Sequence, residues 1–154
     1  MSEVLRVESP GPDETRVIGA RLGALLRPGD VVLLQGELGA GKTTFVQGVA
    51  RGLGYDGAVS SKSFVLLGEY AGRVKLHHAD LYRLDDPAQV ADLALDEISA
   101  DGVLVVEWPE RAGDVLPEEH VLVRFEVTSE DGRVIELEGH GVRPKEIVAK
   151  LRED

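Results

Sequence analysis

Glycines, a lysine and a threonine in the stretch Gly36-Glu37-Leu38-Gly39-Ala40-Gly41-Lys42-Thr43 satisfy the pattern G-x-x-x-x-G-K-[ST], the Walker A phosphate loop. Each residue type answers a need of phosphate chemistry. Glycine lets the backbone turn until successive N–H groups converge on an anion, and the helix that follows adds the positive end of its dipole. The Lys42 ammonium is of a length to reach β- and γ-phosphates, and the Thr43 hydroxyl suits one position on a magnesium ion bridging them. Gly36, Gly39, Ala40, Gly41, Lys42, Thr43 and Thr44 are therefore the candidate nucleotide contacts, with a nucleoside triphosphate and Mg2+ as the ligands.

Phosphoryl chemistry also needs acids, and two are placed at the ends of strands. Val103-Leu104-Val105-Val106 ends in Glu107, the position from which an acid holds magnesium or its water in phosphate-loop enzymes, where Asp is the usual residue. Val74-Lys75-Leu76-His77-His78 leads to Asp80. His77 and His78 point to opposite faces of that strand, so they cannot share a metal, and they read as ordinary strand residues. Trp108 directly follows Glu107, at the strand end where open α/β sheets bind ligands. It suits either the nucleotide cleft or the core. Ser61 and Ser63 lie beyond the loop helix, where a hydroxyl on a switch segment can approach the γ-phosphate, although loops are rich in serine for simpler reasons.

The elements that must position these groups are legible. Val31-Val32-Leu33-Leu34-Gln35 is a buried parallel-type strand entering the loop, and Thr44-Phe45-Val46-Gln47-Gly48-Val49-Ala50 is apolar at helical spacing leaving it. Upstream, Leu5-Arg6-Val7 suits a short strand. A helix opens at Pro12-Asp13-Glu14, carries Val17, Ile18, Leu22, Leu25 and Leu26, and stops at Arg27-Pro28-Gly29-Asp30. Ala71-Gly72-Arg73 joins two hairpin strands, and Asp86-Pro87 starts a further helix bearing Val90, Leu93 and Ala94. Asp131-Gly132 separates the alternating strands His120–Val127 and Arg133–Glu138, and Pro144–Leu151 is a short amphipathic helix. The expected fold is one three-layer α/β phosphate-loop NTPase domain over the 154 residues, its mixed central sheet parallel near the nucleotide and antiparallel towards the hairpins.

Composition bounds the partners. The formal net charge is −11, from 28 acids against 17 bases, with no cluster of Lys and Arg. Tight autonomous binding to a phosphate backbone draws on such a cluster, so nucleic acid is not expected as a direct ligand. The absence of cysteine, of an apolar run of spanning length and of a charged-then-apolar leader points to a cytoplasmic protein with no membrane partner.

Four stretches together resemble the TsaE (YjeE) family, the small ATPase of bacterial tRNA threonylcarbamoyladenosine synthesis. They are Gly36 to Thr44, Ser61-Lys62-Ser63-Phe64, His78-Ala79-Asp80-Leu81-Tyr82-Arg83-Leu84 and Val106-Glu107-Trp108-Pro109-Glu110, and the match runs nearly end to end. The loop is generic, whereas the Asp80 to Leu84 segment and Glu-Trp-Pro, in this order and spacing, are specific to the family. The resemblance implies that Lys42 and Thr43 carry phosphate and magnesium, that Glu107 is the second acid of the metal site, that Asp80 is needed for turnover and that Ser63 supplies the switch hydroxyl. Arg133 matches a position near the nucleotide; a solvated hairpin arginine is the other reading. The family usually has Ser-Pro-Thr where this chain has Ser61-Lys62-Ser63, so the segment loses a stiffening proline and gains a cation. The function implied is ATP binding and slow hydrolysis in support of a TsaB and TsaD type complex that modifies adenosine 37 of tRNA, with tRNA met only through those partners. Two alternatives use the same loop. One is a small-molecule kinase with Asp80 as base, and the other is a nucleotide-dependent binding module without significant chemistry.

Overall fold

A computed structural model describes residues 3–37, 39–57, 59, 67–82 and 95–153. Ser61, Lys62, Ser63, Arg83 and the helix expected from Asp86 lie outside the described residues. The chain runs β1 (Glu3–Ser9), α1 (Pro12–Leu25), β2 (Val31–Gln35), α2 (Lys42–Gly52), β3 (Leu67–Ala71), β4 (Lys75–Asp80), a short α3 (Leu95–Ile98), β5 (Gly102–Glu107), β6 (His120–Val127), β7 (Arg133–His140) and α4 (Val142–Glu153). Stretches of 3₁₀ helix at Ser99–Asp101 and Pro109–Val115 precede and follow β5.

The strands form one sheet in the order β1-β7-β6-β2-β5-β4-β3. Its centre is parallel, with β2 between β6 and β5, and β4 parallel to β5 on the far side. The antiparallel pairs fall at the margins, where β7 and β1 extend one side and β3 closes the other. This is the mixed sheet expected from the sequence, and composition explains it. β2 and β5 are apolar at nearly every position, which suits a strand covered on both faces, while β6 and β7 alternate and carry Asp131-Gly132 in the turn between them.

Alternation along the strands sorts the core into two layers. Val32, Leu34, Val103, Val105, Val121 and Val123 face α1, α2 and α4. Val31, Leu33, Leu104 and Val106 face the other way, towards Leu81, Leu95 and Ala112. Among the described residues no helix is long and apolar enough to cross a membrane.

Helices α1 and α2 meet backbone to backbone. A Cβ on Gly48 would lie 2.2 Å from the Arg16 carbonyl oxygen, and one on Gly23 would lie 2.3 Å from that of Val49. Neither oxygen can swing aside, since each belongs to a helix. Gly48→Ala is therefore expected to destabilise the fold by about 1–3 kcal/mol through forced separation of the helices, despite alanine's better helix propensity. Urea unfolding of parent and variant measures it, and an unchanged midpoint would show that the contact opens without cost.

Candidate functional site

The phosphate loop leaves β2 at Gln35 and enters α2 at Lys42. Gly39 and Gly41 adopt positive φ, 78° and 100°, which a side chain resists. Gly36 is needed for a different reason. A Cβ there would meet Phe125 Cβ at 3.1 Å, and Phe125 packs edge-on against Phe45 of α2, with ring centroids 5.4 Å apart. The loop is thus seated on an aromatic pair joining β6 to the loop helix. Thr43 and Thr44 sit in the first turn of α2, neither fully buried.

Lys42 is 4% exposed. Its Nζ donates to the Gly36 carbonyl oxygen at 2.7 Å and lies 3.6 Å from the centroid of the Trp108 ring. Burial pushes the ammonium pKa down, and the carboxylates of Glu107, Glu110 and Asp80 oppose that shift in decreasing order. A cation with three carboxylates around it, but held by a carbonyl and an aromatic face, is available to an incoming anion.

Trp108 owes its place to strain. It is the one non-glycine residue with positive φ among the described residues, at φ 61° and ψ 51°. Pro109 follows and disfavours the right-handed helical region at Trp108, so the chain leaves β5 through a left-handed turn costing about 1–2 kcal/mol. That turn lays the indole over Lys42 and beside Tyr82, whose ring centroid is 5.0 Å away. The side chain lines an open cleft of about 440 Å³ beside the loop with Gln35, Gly36, Glu37, Glu110 and Phe125, and it also packs on the core layer of Val31, Leu33, Leu104 and Val106.

The acids converge through strand order. Asp80 and Glu107 are register partners on adjacent parallel strands, and β5 lies beside β2, so both carboxylates come to the edge where the loop opens. Asp80 is partly exposed and its Oδ1 accepts the Tyr82 backbone N–H at 3.1 Å. Glu107 is 3% exposed, and its Oε2 lies 2.6 Å from His78 Nε2. This partner is absent from the sequence reading, which takes His78 as an ordinary strand residue. The one available signal was parity, because His78 and Asp80, two apart on a strand, share a face. His77, on the opposite face, bonds Asp101 instead.

Arg133 is drawn to the loop, where its guanidinium donates to backbone carbonyls. Its Nε and Nη2 donate to the carbonyl oxygens of Ala40 and Gly39, each at 3.0 Å, and Nη1 donates to those of Ser129, Glu130 and Gly132. The guanidinium ties the β6–β7 turn to the loop. Arg133→Ala is expected to weaken nucleotide binding by about tenfold or more, because the loop must then be ordered by the ligand itself. Isothermal calorimetry measures this, and unchanged affinity would reduce Arg133 to a brace for the hairpin.

A parallel strand, a glycine loop and a helix, with acids delivered by neighbouring parallel strands, define a phosphate-loop NTPase fold. Residues 9–135 match the family "Threonylcarbamoyl adenosine biosynthesis protein TsaE". The chain belongs to this family, whose place is in tRNA threonylcarbamoyladenosine biosynthesis. It is 38% identical over 149 residues to the tRNA threonylcarbamoyladenosine biosynthesis protein TsaE of Bacillus subtilis, covering 96% of this chain and 93% of that protein. The protein of the same name from Treponema pallidum is 41% identical over 132 residues, covering 85% of this chain and 98% of the relative. The crystal structure of Bacillus subtilis YdiB aligns with a TM-score of 0.84 at 34% identity, covering 99% of this chain and 97% of the other.

Proposed function

We propose that this chain is an ATP-binding and slowly hydrolysing subunit, acting on a TsaB and TsaD type complex that installs threonylcarbamoyl on adenosine 37 of tRNA. The observation that carries the chemistry is the convergence of Lys42, Trp108, Asp80 and Glu107 at the mouth of one phosphate loop. The observation that carries the pathway is the family membership.

The residues present fit ATP with magnesium. Nothing lies within 4 Å of the position a Cβ would take at Gly39, so the backbone of the loop is open there. Among the described residues no group of three or more His, Cys, Asp or Glu is placed to hold a metal by itself. Magnesium binds through one or two protein oxygens, phosphate oxygens and water, so it needs no such group. Thr43 and Glu107 are the oxygens that would hold it. When bound, the ion supplies neutralisation of charge on the transferring phosphoryl group.

The chain's own residues do the rest. Backbone N–H groups at the start of α2 receive the phosphates, and Lys42 exchanges its bond to the Gly36 carbonyl for phosphate oxygens. Asp80 orients the attacking water and accepts its proton. Trp108 covers Lys42 and excludes bulk water from that side, and Ser63 is assigned the switch hydroxyl on the strength of the family resemblance. With few positioned groups and no arginine assigned to the transferring phosphate, hydrolysis by the chain alone is slow and partner contact accelerates it.

Electrostatics support a reading in which the tRNA is met through the partners. A net charge of −11 repels a phosphate backbone at long range, and the acids Glu37, Glu110 and Glu126 line the cleft beside the loop. The test is phosphate release by the isolated chain, by the chain with a TsaB–TsaD type complex, and by the mixture with tRNA, alongside titration of labelled tRNA into each. Stimulation by partners, and tRNA binding only in their presence, is the expected result. Tight, salt-sensitive tRNA binding by this chain alone, or phosphate transfer only to a small acceptor, would overturn the proposal.

A further inference from the structure

We propose that His78 is a positioning residue for Glu107, holding one carboxylate oxygen so that the other is kept for the magnesium site; this rests on the ATP–magnesium reading above. The geometry is specific. His78 Nε2 and Glu107 Oε2 are 2.6 Å apart, and the two side chains are 5% and 4% exposed. His78 lies on β4 opposite Val105 of β5, two residues before the Asp80–Glu107 register pair, so the imidazole reaches Glu107 diagonally along the shared sheet face.

An ionised carboxylate only accepts, so Nε2 carries the proton and Oε2 is the oxygen committed. A glutamate at a strand end has rotatable bonds that would let it reach for Lys42, and among the carboxylates that favour the Lys42 charge Glu107 has the largest effect. The imidazole opposes that collapse. It satisfies a buried charge, fixes the plane of the carboxylate and leaves Oε1 for a cation or its bound water. A hydrogen-bonded partner behind a metal-site carboxylate commonly sets affinity for the metal by tenfold to a hundredfold.

His77 shows that this is not a generic property of the strand. It is equally buried, also bonds a carboxylate, and sits on the opposite face with Asp101, away from the loop. Its loss should affect stability alone.

The experiment measures nucleotide affinity in the absence of magnesium and then the magnesium concentration for half-maximal response, both from Trp108 fluorescence checked by calorimetry. Parent, His78→Ala, His78→Gln and the control His77→Ala are compared, with thermal midpoints recorded. His78→Ala should raise the magnesium requirement about tenfold to a hundredfold while magnesium-free affinity stays within about twofold. His78→Gln keeps an N–H donor and should restore most of the parent requirement, whereas His77→Ala should lower the midpoint without shifting the magnesium curve. If His78→Ala does not fold, His78→Met fills the volume without a donor and takes its place. An unchanged magnesium requirement in a folded donorless variant, or an equal shift in His77→Ala, overturns the role of His78 alone. A parent chain with no magnesium-dependent nucleotide response overturns the ATP–magnesium reading, and the role of His78 with it.

Discussion

Lys42→Ala leaves a folded protein whose magnesium–ATP binding or turnover is lower by at least about a hundredfold, the scale on which a lost charge-stabilising donor acts at a phosphoryl or oxyanion site. The structure makes this a clean separation of function from stability. In the parent the ammonium is almost wholly buried, donates to one carbonyl and rests against the Trp108 ring. Burial disfavours the charge and pushes the pKa down, while the ring and the nearby carboxylates favour it. Removing the side chain relieves the desolvation and forfeits the attractions, and the two changes oppose each other. The thermal midpoint should therefore move little. Calorimetric titration with nucleotide and a phosphate-release assay with partners present check the functional half, and undiminished binding and hydrolysis would remove the loop from the mechanism.

Glu107 and Asp80 should also be lost to turnover by about a hundredfold or more, but with different structural consequences. Glu107→Ala strands the buried His78 imidazole without its acceptor, which costs about 1–3 kcal/mol of stability in addition to removing the proposed metal ligand. Glu107→Gln keeps an acceptor for the His78 N–H while removing the charge, so its stability should stay near the parent and its magnesium-supported hydrolysis should still fall. Among the described residues Asp80→Ala loses the bond from the Tyr82 backbone N–H, worth about 1 kcal/mol at a partly exposed site, and its attraction for the Lys42 ammonium. Single-turnover phosphate release with partners, set beside unfolding curves, resolves the three variants. Parent rates in Glu107→Gln would show that the carboxylate serves folding rather than the metal, and parent rates in Asp80→Ala would remove it as the group that orients water.

The phosphate loop was legible because its requirements are local. Positive φ at Gly39 and Gly41, an apolar strand before and a helix after are properties of contiguous residues, and the structure returns β2 at Val31–Gln35 and β6 at His120–Val127 with the bounds that the residue pattern implies. The turn at Asp131-Gly132 and the proline start of α1 follow from the same kind of short-range preference. Elements with weaker patterns came out longer than expected, β1 spanning Glu3–Ser9 and α4 spanning Val142–Glu153, because pairing with β7 and packing on the sheet extend them beyond their own propensities.

What the tertiary structure decided is which strand lies beside which. The sequence places Glu107 and Asp80 at strand ends, yet it does not say that β5 sits between β2 and β4, and only that order brings both acids to the loop in register. The same holds for His78, whose face is fixed by the period of two along its strand but whose partner is fixed by a neighbouring strand distant in sequence. Arg133 is the extreme case. Its own stretch reads as a hairpin, the family resemblance alone putting it near the nucleotide, and the pairing of β6 with β2 carries its guanidinium to the carbonyls of Gly39 and Ala40. Local backbone preference acts over a few residues and is written in them, whereas strand adjacency emerges from burying two faces of a whole sheet at once, so the loop belongs to the sequence and the site around it to the fold.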